Sequence, residues 1–537
     1  MFSLKKKRIK YLNDNWGKSS DKHRNFDLIS SYHNILNSYN DVNFVDEKTW
    51  NDLQFDSIFS KLDRNISGIG QQYLYHIMHR YEGDENRLQK RFKMIKHLKG
   101  NQQLREKIQI SLFGLTGISS YFIANLILNK ELPGTKYYPL FYLCSALTFA
   151  SLLLIAVNGN FLFISLALLL TNLVINKMFS NRVYEYFTGF SSLNSLIISA
   201  ISIGKLNPDL LIDEIERLKK QRHLLISLKK KLGYLVIDKE ALSEFGIVLI
   251  EYLNMFFLFD IIAYYRSVNT LFKHQDEIHE TFKCVGGLDA YISVASYLQE
   301  NPAYSIPIFN NSGIIEFSNL YHPLLKGAVS NSLQNFEKSA LITGSNMSGK
   351  TTFIKTVGIN FILSQTLYFS LSSELNIPKL IVKSAIHRNE DLEIGKSYFF
   401  VEIETINNFI KLGDNRGDYL FLIDEIFRGT NTIERLASST AVLKHLDKRN
   451  KVLVTTHDIE LQELLNNNFN MYHFSEQVAF EKYFFDYKIK EGPCSSGNAI
   501  KLLEIMGYPI SIINDANLLV RDFLLKNKSL FTTLFKN

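Results

Sequence analysis

Three textures of apolar and polar positions succeed one another along this 537-residue chain. Residues 1 to about 55 are polar, with spacings that predict one or two short helices. From Phe59 to about residue 300 the apolar positions recur at helical spacing and prolines are few. Leu88, Phe92 and Ile95 fall on one face of the basic run Arg87–Lys99, whose lysines read as a solvated face. Leu211, Leu218, Leu225 and Leu232 repeat every seven residues, with Ile215 and Leu228 beside them. That pattern predicts a long helix with a narrow apolar seam, either the shaft of a lever or a packing helix in a bundle. Near Pro302 the texture changes to short apolar runs between polar turns. Strand-like segments Ser339–Thr343, Leu380–Ala385, Tyr419–Asp424 and Lys451–Thr455 alternate with helix-like Phe353–Leu367, Phe400–Leu412 and Ala437–Leu446. Such alternation predicts a parallel sheet covered by helices.

One stretch interrupts the helical region. From Tyr137 to Asn176 there are 40 residues without a charged side chain. Asn158-Gly159-Asn160 is a turn signal that splits them into Pro139–Val157 and Phe161–Asn176. A bilayer needs about 20 apolar residues per helix. The first arm is near that length; the second must extend past Lys177, which can snorkel. Lys130 and Lys136 precede the run, Lys177 and Arg182 follow it, and the turn has no basic residue. This predicts a helical hairpin crossing a membrane twice, with both flanking parts cytoplasmic; the alternative is a buried hairpin within a soluble helical domain. Ile108–Leu128 is also uncharged but studded with polar side chains, and Tyr252–Ile262 carries Asp260; both read as ordinary helices outside the membrane.

The charge of +7 permits an anionic partner without demanding one. The basic start, MFSLKKKRIK, lacks a following apolar segment and so is no secretory signal. It is either a solvated tail or a contact for acidic lipid or nucleic acid. Cys144, Cys284 and Cys494 lack metal-ligand spacing and even pairing, which points to a reducing compartment.

The chemistry is concentrated in Leu341–Thr352, LITGSNMSGKTT. An apolar strand feeds a turn with the spacing G-x-x-x-x-G-K-[ST], and a helix follows. Gly344 and Gly349 permit the tight turn, so that backbone N–H groups of Gly344, Ser345, Asn346, Met347, Ser348 and Gly349 cradle phosphate at a helix N-terminus. Lys350 reaches the β and γ phosphates of ATP, Thr351 ligates Mg²⁺, and Thr352 completes the loop. Downstream, the apolar strand Tyr419–Ile423 ends in Asp424-Glu425. Such a strand end delivers one carboxylate to the metal and a second to the attacking water.

Both elements resemble the MutS family of mismatch-repair ATPases. The family's TGPNMSGKST is similar to Thr343–Thr352, its DEIGRGTS to Asp424–Asn431, its ATH to Thr455-Thr456-His457, and its GRSTFMVEM to Gly395–Ile403. Leu62-Asp63-Arg64, Gly70 and Leu74 resemble the start of the family's core domain. Leu288-Asp289-Ala290, His322-Pro323-Leu324-Leu325, Tyr487–Gly492 and Gly507-Tyr508-Pro509 resemble elements before and within its ATPase domain. The resemblance implies an ATPase with Glu425, Lys350 and His457 as catalytic residues and Thr351 and Asp424 as the Mg²⁺ ligands. It also implies a homodimer through paired ATPase domains, in which Ser397 reaches the partner's nucleotide and Arg428 and Asn431 face the partner. Glu402 takes a structural role. Ser345 replaces the family's proline and Phe427 its glycine, where the backbone is less free.

The implied fold is α plus α/β: a polar lead-in (1–58), a helical core (59–136), a transmembrane hairpin (137–177), a helical core and lever (178–301), and an ABC-type P-loop ATPase domain with a mainly parallel sheet (302–537). Only some 60 residues precede the core, and no Phe-x-Glu element occurs before the ATPase domain, so the usual mismatch wedge is not expected. The expectation is a membrane-anchored ATPase that engages DNA, with Lys and Arg of Arg217–Lys231 available to phosphates. The alternatives are a membrane ATPase acting on a protein or lipid partner without DNA, and a scaffold that binds ATP without hydrolysis.

Overall fold

The computed structural model describes residues 2–37, 43–128, 138–207, 212–232, 252–345, 348–386, 398–479, 482–494, 500, 503–504 and 506–520. Asn346, Met347 and Ser397 therefore lie outside the described residues, as do Lys130 and Lys136. The chain forms two compact units. One comprises the residues up to Phe44 together with Phe59–Pro302; the other comprises Val45–Ile58 and the residues from Ala303 onward. The polar lead-in 1–58 thus divides between them.

The first unit is helical. Its centre is the crossing of helix Gly68–His79 with helix Gln275–Glu300, both buried over most of their length. Asp289 fixes that crossing. Its carboxylate accepts the Ser67 N–H at 2.8 Å and the Ser67 hydroxyl at 2.6 Å, while Ser67 caps the first helix. Gly70 allows the approach, since a Cβ there would sit 2.2 Å from Asp289 Oδ2. In helix Glu85–Gly100 the predicted face holds: Leu88, Phe92 and Ile95 are buried, and Lys90, Lys93 and Lys96 are exposed. The heptad segment is not one shaft. It is two helices, Asp213–Lys220 and Arg222–Leu232, meeting at Gln221. Ile215, Leu218, Leu225 and Leu228 are buried, and the two helices follow different neighbours, Gln275–Glu300 and Phe161–Ile203 respectively. A single straight seam cannot face both.

Three histidines are buried together in this unit. His33 stacks on His79 with ring centres 4.2 Å apart, and its Nδ1 lies 3.4 Å from Nδ1 of His76. Burial pushes His33 down to about 4; burial, then the neighbouring positive groups, push His76 down to about 3, and burial holds His79 well below the ordinary imidazole range. The unfolded chain, with ordinary imidazoles, takes up protons first as pH falls below about 6.5. The contribution of these groups is therefore intact above that pH and is lost as pH falls from about 6.5, down to about 4 for His33 and about 3 for His76. In His33→Phe the decline of the unfolding free energy, measured by urea titration, from pH 7 to pH 5 becomes shallower, by up to about 1.4 kcal/mol per pH unit. An unchanged slope would take His33 out of this account.

The uncharged run forms two antiparallel helices, Tyr138–Leu154 and the first part of Phe161–Ile203, joined by the Asn158–Asn160 turn. Among the described helices, one segment is long and apolar enough to cross a membrane by length and composition, Phe161–Phe179, of which 11% is buried. Pro139–Leu154 is shorter than a span. This corrects the expectation of two full spans: the first arm stops at Leu154, and the second is the long one, continuing past Lys177. By contrast, most of the apolar residues of 108–128 turn inward, with Ile108, Leu112, Leu115, Ile123 and Leu126 buried, while Ile118 and Phe122 are exposed.

The second unit holds two sheets. Strands β1 (Ile308–Asn310), β2 (Ile315–Leu320), β3 (Asn331–Phe336) and β5 (Glu374–Pro378) form a mixed sheet in the order β1-β5-β2-β3, which the sequence alternation did not predict. Strands β4 (Ser339–Thr343), β6 (Ile381–Ala385), β7 (Tyr419–Asp424), β8 (Lys451–Thr456), β9 (Phe469–Ala479) and β10 (Lys482–Glu491) form the larger one, in the order β10-β9-β4-β8-β7-β6. Its pairs are parallel except β9 with β10. β4, β7 and β8 are buried almost throughout, which is why they read as unbroken apolar runs. Helix Glu47–Asp52 covers the edge strand β6: Asp52 accepts from the Ser384 hydroxyl at 2.7 Å and the Ile386 N–H at 3.1 Å, and Lys383 pairs with Asp46 at 3.0 Å.

Candidate nucleotide site

The carboxyl ends of β4, β7 and β8 lie side by side, with Thr343 opposite Thr456 and Asp424 opposite Thr455. In an open parallel sheet this is the edge where ligands bind. The loop after β4 turns through Gly344 (φ +146°) and Gly349 (φ +105°), and helix Lys350–Leu367 begins directly after it. A Cβ on Gly344 would lie 2.7 Å from the Phe474 carbonyl, so only glycine fits. Ser348 closes the loop by donating to the Ser345 carbonyl at 2.8 Å. The Lys350 ammonium is held over the loop by the carbonyls of Gly344 (2.6 Å) and Ser345 (2.7 Å) and lies 3.5 Å from His457 Nε2. Thr352 is exposed beside it.

The acidic strand end meets this loop from β7. Thr351 donates to the Asp424 carboxylate at 2.9 and 3.1 Å, and Thr455 donates to Asp424 Oδ1. One hydroxyl and one carboxylate, adjacent and all oxygen, are a donor set that Mg²⁺ accepts, the remaining positions going to water and phosphate. Next along, Glu425 receives His457 Nε2 at 2.7 Å and Arg428 Nε at 2.9 Å. The His457 bond, with the Arg428 and Lys350 charges, holds its carboxyl below the usual range in spite of half-burial. Glu425 is thus ionised, and with one bond on each oxygen it keeps acceptor capacity for a water.

Glu425 and Phe427 both have left-handed backbone, φ +57° and +58°. Phe427 stands there without glycine's freedom, and a buried carboxylate supports it. Glu402, on helix Tyr398–Asn415, accepts the N–H groups of Phe427 and Arg428. Burial pushes its carboxyl up to about 7, against those two bonds. Arg428 is engaged with Glu425 of its own chain, and Asn431 caps helix Thr432–Asp447 through the Glu434 N–H at 3.0 Å. Both residues are exposed as well as making these contacts within the chain. Sequence reasoning missed the Arg435–Asp458 pair, bidentate at 2.8 Å beside His457, because the two residues come from separate elements.

A cavity of about 430 Å³ opens beside the loop, lined by Ser345, Gly349, Thr352, His322, Asn331 and Tyr487 among others. Tyr487 has φ +52° and its ring faces Gly349, where a Cβ would be 3.3 Å away. Asn331 donates to its carbonyl at 3.1 Å.

This loop, strand end and histidine lie in a segment with a known counterpart. Residues 340–523 match the family MutS domain V. Beyond it, the chain is homologous to MutS proteins over about half its length. It is 29% identical over 252 residues to the DNA mismatch repair protein MutS of Lachnoclostridium phytofermentans, covering 44% of this chain and 27% of that protein. The MutS of Clostridium botulinum is 28% identical over 273 residues (48% of this chain, 28% of that protein). That of Thermus thermophilus is 27% identical over 253 residues (46% and 31%). The match therefore spans about a third or less of the relatives' own length. Within domain V of this chain, Gly344, Ser345, Ser348, Gly349, Lys350, Thr351, Asp424, Glu425 and His457 converge on one sheet edge, while Asn346, Met347 and Ser397 are not described.

Proposed function

We propose that domain V binds ATP with Mg²⁺ and hydrolyses its β–γ bond. The observation that carries this is the convergence of Lys350, the Thr351–Asp424 pair and the Glu425–His457 pair on adjacent strand ends. The N–H groups of the loop hold the phosphates, and Lys350 shifts from the loop carbonyls to neutralise charge on the β and γ oxygens. Thr351 and Asp424 would hold Mg²⁺, which when bound would supply positive charge against the phosphates. Glu425 orients the water in line, and His457 positions Glu425. The cavity beside the loop suits the base, with the Tyr487 ring as a stacking face. Two chains pair through their domains V, Ser397 of each reaching the other's nucleotide.

The whole chain acts at a membrane, the apolar helical pair within 137–177 entering it and the flanking parts remaining cytoplasmic. The names of the MutS relatives suggest DNA as the partner, reached through phosphate contacts. The apolar pair favours a second reading, in which the partner is a membrane protein or lipid. The test is steady-state ATP hydrolysis by detergent-purified protein with homoduplex, mismatched and branched DNA, using Lys350→Ala as the blank. Stimulation by DNA that fades with salt is expected for the first reading. A Lys350-dependent rate indifferent to every DNA would move the assignment to the second. No Lys350-dependent rate would sink both.

A further inference from the structure

We infer that residues 252–259 are a third membrane-embedded element, clamped onto the apolar helical pair by Asn172. The inference rests on the membrane reading above and extends it to a segment whose composition alone reads as an ordinary helix.

The apolar pair is built with its polar groups inside. Thr148, Ser151, Ser165 and Asn172 are all buried. Ser165 donates to Ser151 at 2.9 Å and Asn172 to Thr148 at 2.9 Å. The exposed residues are Leu140, Tyr142, Leu143, Leu147, Phe149, Leu152, Leu153 and Leu154 on the first arm. At about 100° per residue these occupy roughly 240° of the helix circumference. Leu162, Phe163, Ile164, Leu166, Leu170 and Val174 continue that surface on the second arm. A protein partner covers one stripe of a helix; acyl chains surround it. The distribution selects lipid.

The segment 252–257 joins this body. It is a short helix that breaks at Leu258, where φ is +56°. A broken helix leaves carbonyls without intrahelical partners, and in lipid these must be satisfied by protein. Asn172, on the second arm, meets one of them, donating to the Phe256 carbonyl at 2.7 Å; Asn176, one turn on, lies 3.5 Å from the Asn254 carbonyl, which already accepts the Leu258 N–H at 2.9 Å. Phe257 packs edge-on against Phe149 of the first arm. The outer side is apolar and open, with Tyr252 55% and Phe259 49% exposed. The eight described residues 252–259 are by themselves too few to span, and the inference is that they are embedded.

The experiment is photolabelling of the full chain, reconstituted in phospholipid vesicles, with a lipid-soluble diazirine, followed by peptide mass spectrometry. Expected is label in 138–154, in 161–179 and in 252–259, with none on the exposed face of Glu85–Gly100. Label in the helical pair without label in 252–259 overturns the inference and leaves the membrane reading standing. Absence of label from all three removes the membrane reading, and the inference with it. In Asn172→Leu, loss of label from 252–259 with the pair still labelled is expected; an unchanged pattern overturns the clamp.

Discussion

A Glu425→Gln chain binds ATP and fails to turn it over. Turnover falls by about 10²–10⁴-fold, the usual contribution of a positioned proton-transfer or water-orienting group. The amide keeps the shape of the side chain and loses its charge. One oxygen can still accept from His457 or Arg428, but the NH₂ group now faces a donor, and neither end can polarise a water. ATP affinity holds, because the phosphate cradle is built from the 344–349 backbone and Lys350, on β4 and its helix rather than on β7. Equilibrium ATP binding and single-turnover hydrolysis separate the two effects. A Glu425→Gln rate near that of the wild type would take this carboxylate out of the chemistry. Lys350→Ala, by contrast, is expected to lose binding as well as turnover.

The second large effect is predicted at a residue that touches neither phosphate nor water in this reading. Glu402→Ala removes the acceptor for the N–H groups at Phe427 and Arg428 and leaves the 425–428 turn to relax. The turn holds two non-glycine residues in left-handed backbone, each costing about 1–2 kcal/mol. Without the carboxylate that strain is released by moving Glu425. A displacement of about 1 Å costs on the order of 10²-fold in rate. The loss falls on kcat, with KM for ATP little changed. Glu402→Gln retains an acceptor oxygen and restores part of the rate. Phe427→Gly added to Glu402→Ala recovers more, since glycine adopts the same φ without strain. Equal losses in KM and kcat, or no recovery in either variant, would show that Glu402 merely supports folding.

Much of this site was legible in the chain. Phosphate-loop spacing is local: the eight consecutive residues Gly344–Thr351, running from the end of an apolar strand into a helix, carry the whole pattern. Ser339–Thr343 and Tyr419–Asp424 stood out as strands because burial on both faces removes polar residues from them. What lay between distant elements was not legible. The Glu402 contact joins a helix to a turn 25 residues away. Tyr487 was one residue of a closing pattern until its backbone turned the ring toward Gly349. The contacts that Arg428 and Asn431 make within their own chain were likewise not legible.

By itself the sequence determined a glycine-rich turn between a strand and a helix, an acidic strand end, a helical half and an apolar interruption, because each depends on neighbours within about one element's length. Tertiary structure decided the rest. Strand order set Asp424 against Thr351, since β8 inserts between β4 and β7 and aligns their ends. It also split the heptad helix, gave helix Glu47–Asp52 to the sheet edge, and turned Asn172 inward to the broken segment. Each of these joins residues far apart in the chain, and such pairings are set by packing and hydrogen-bond satisfaction across elements, which no local pattern encodes.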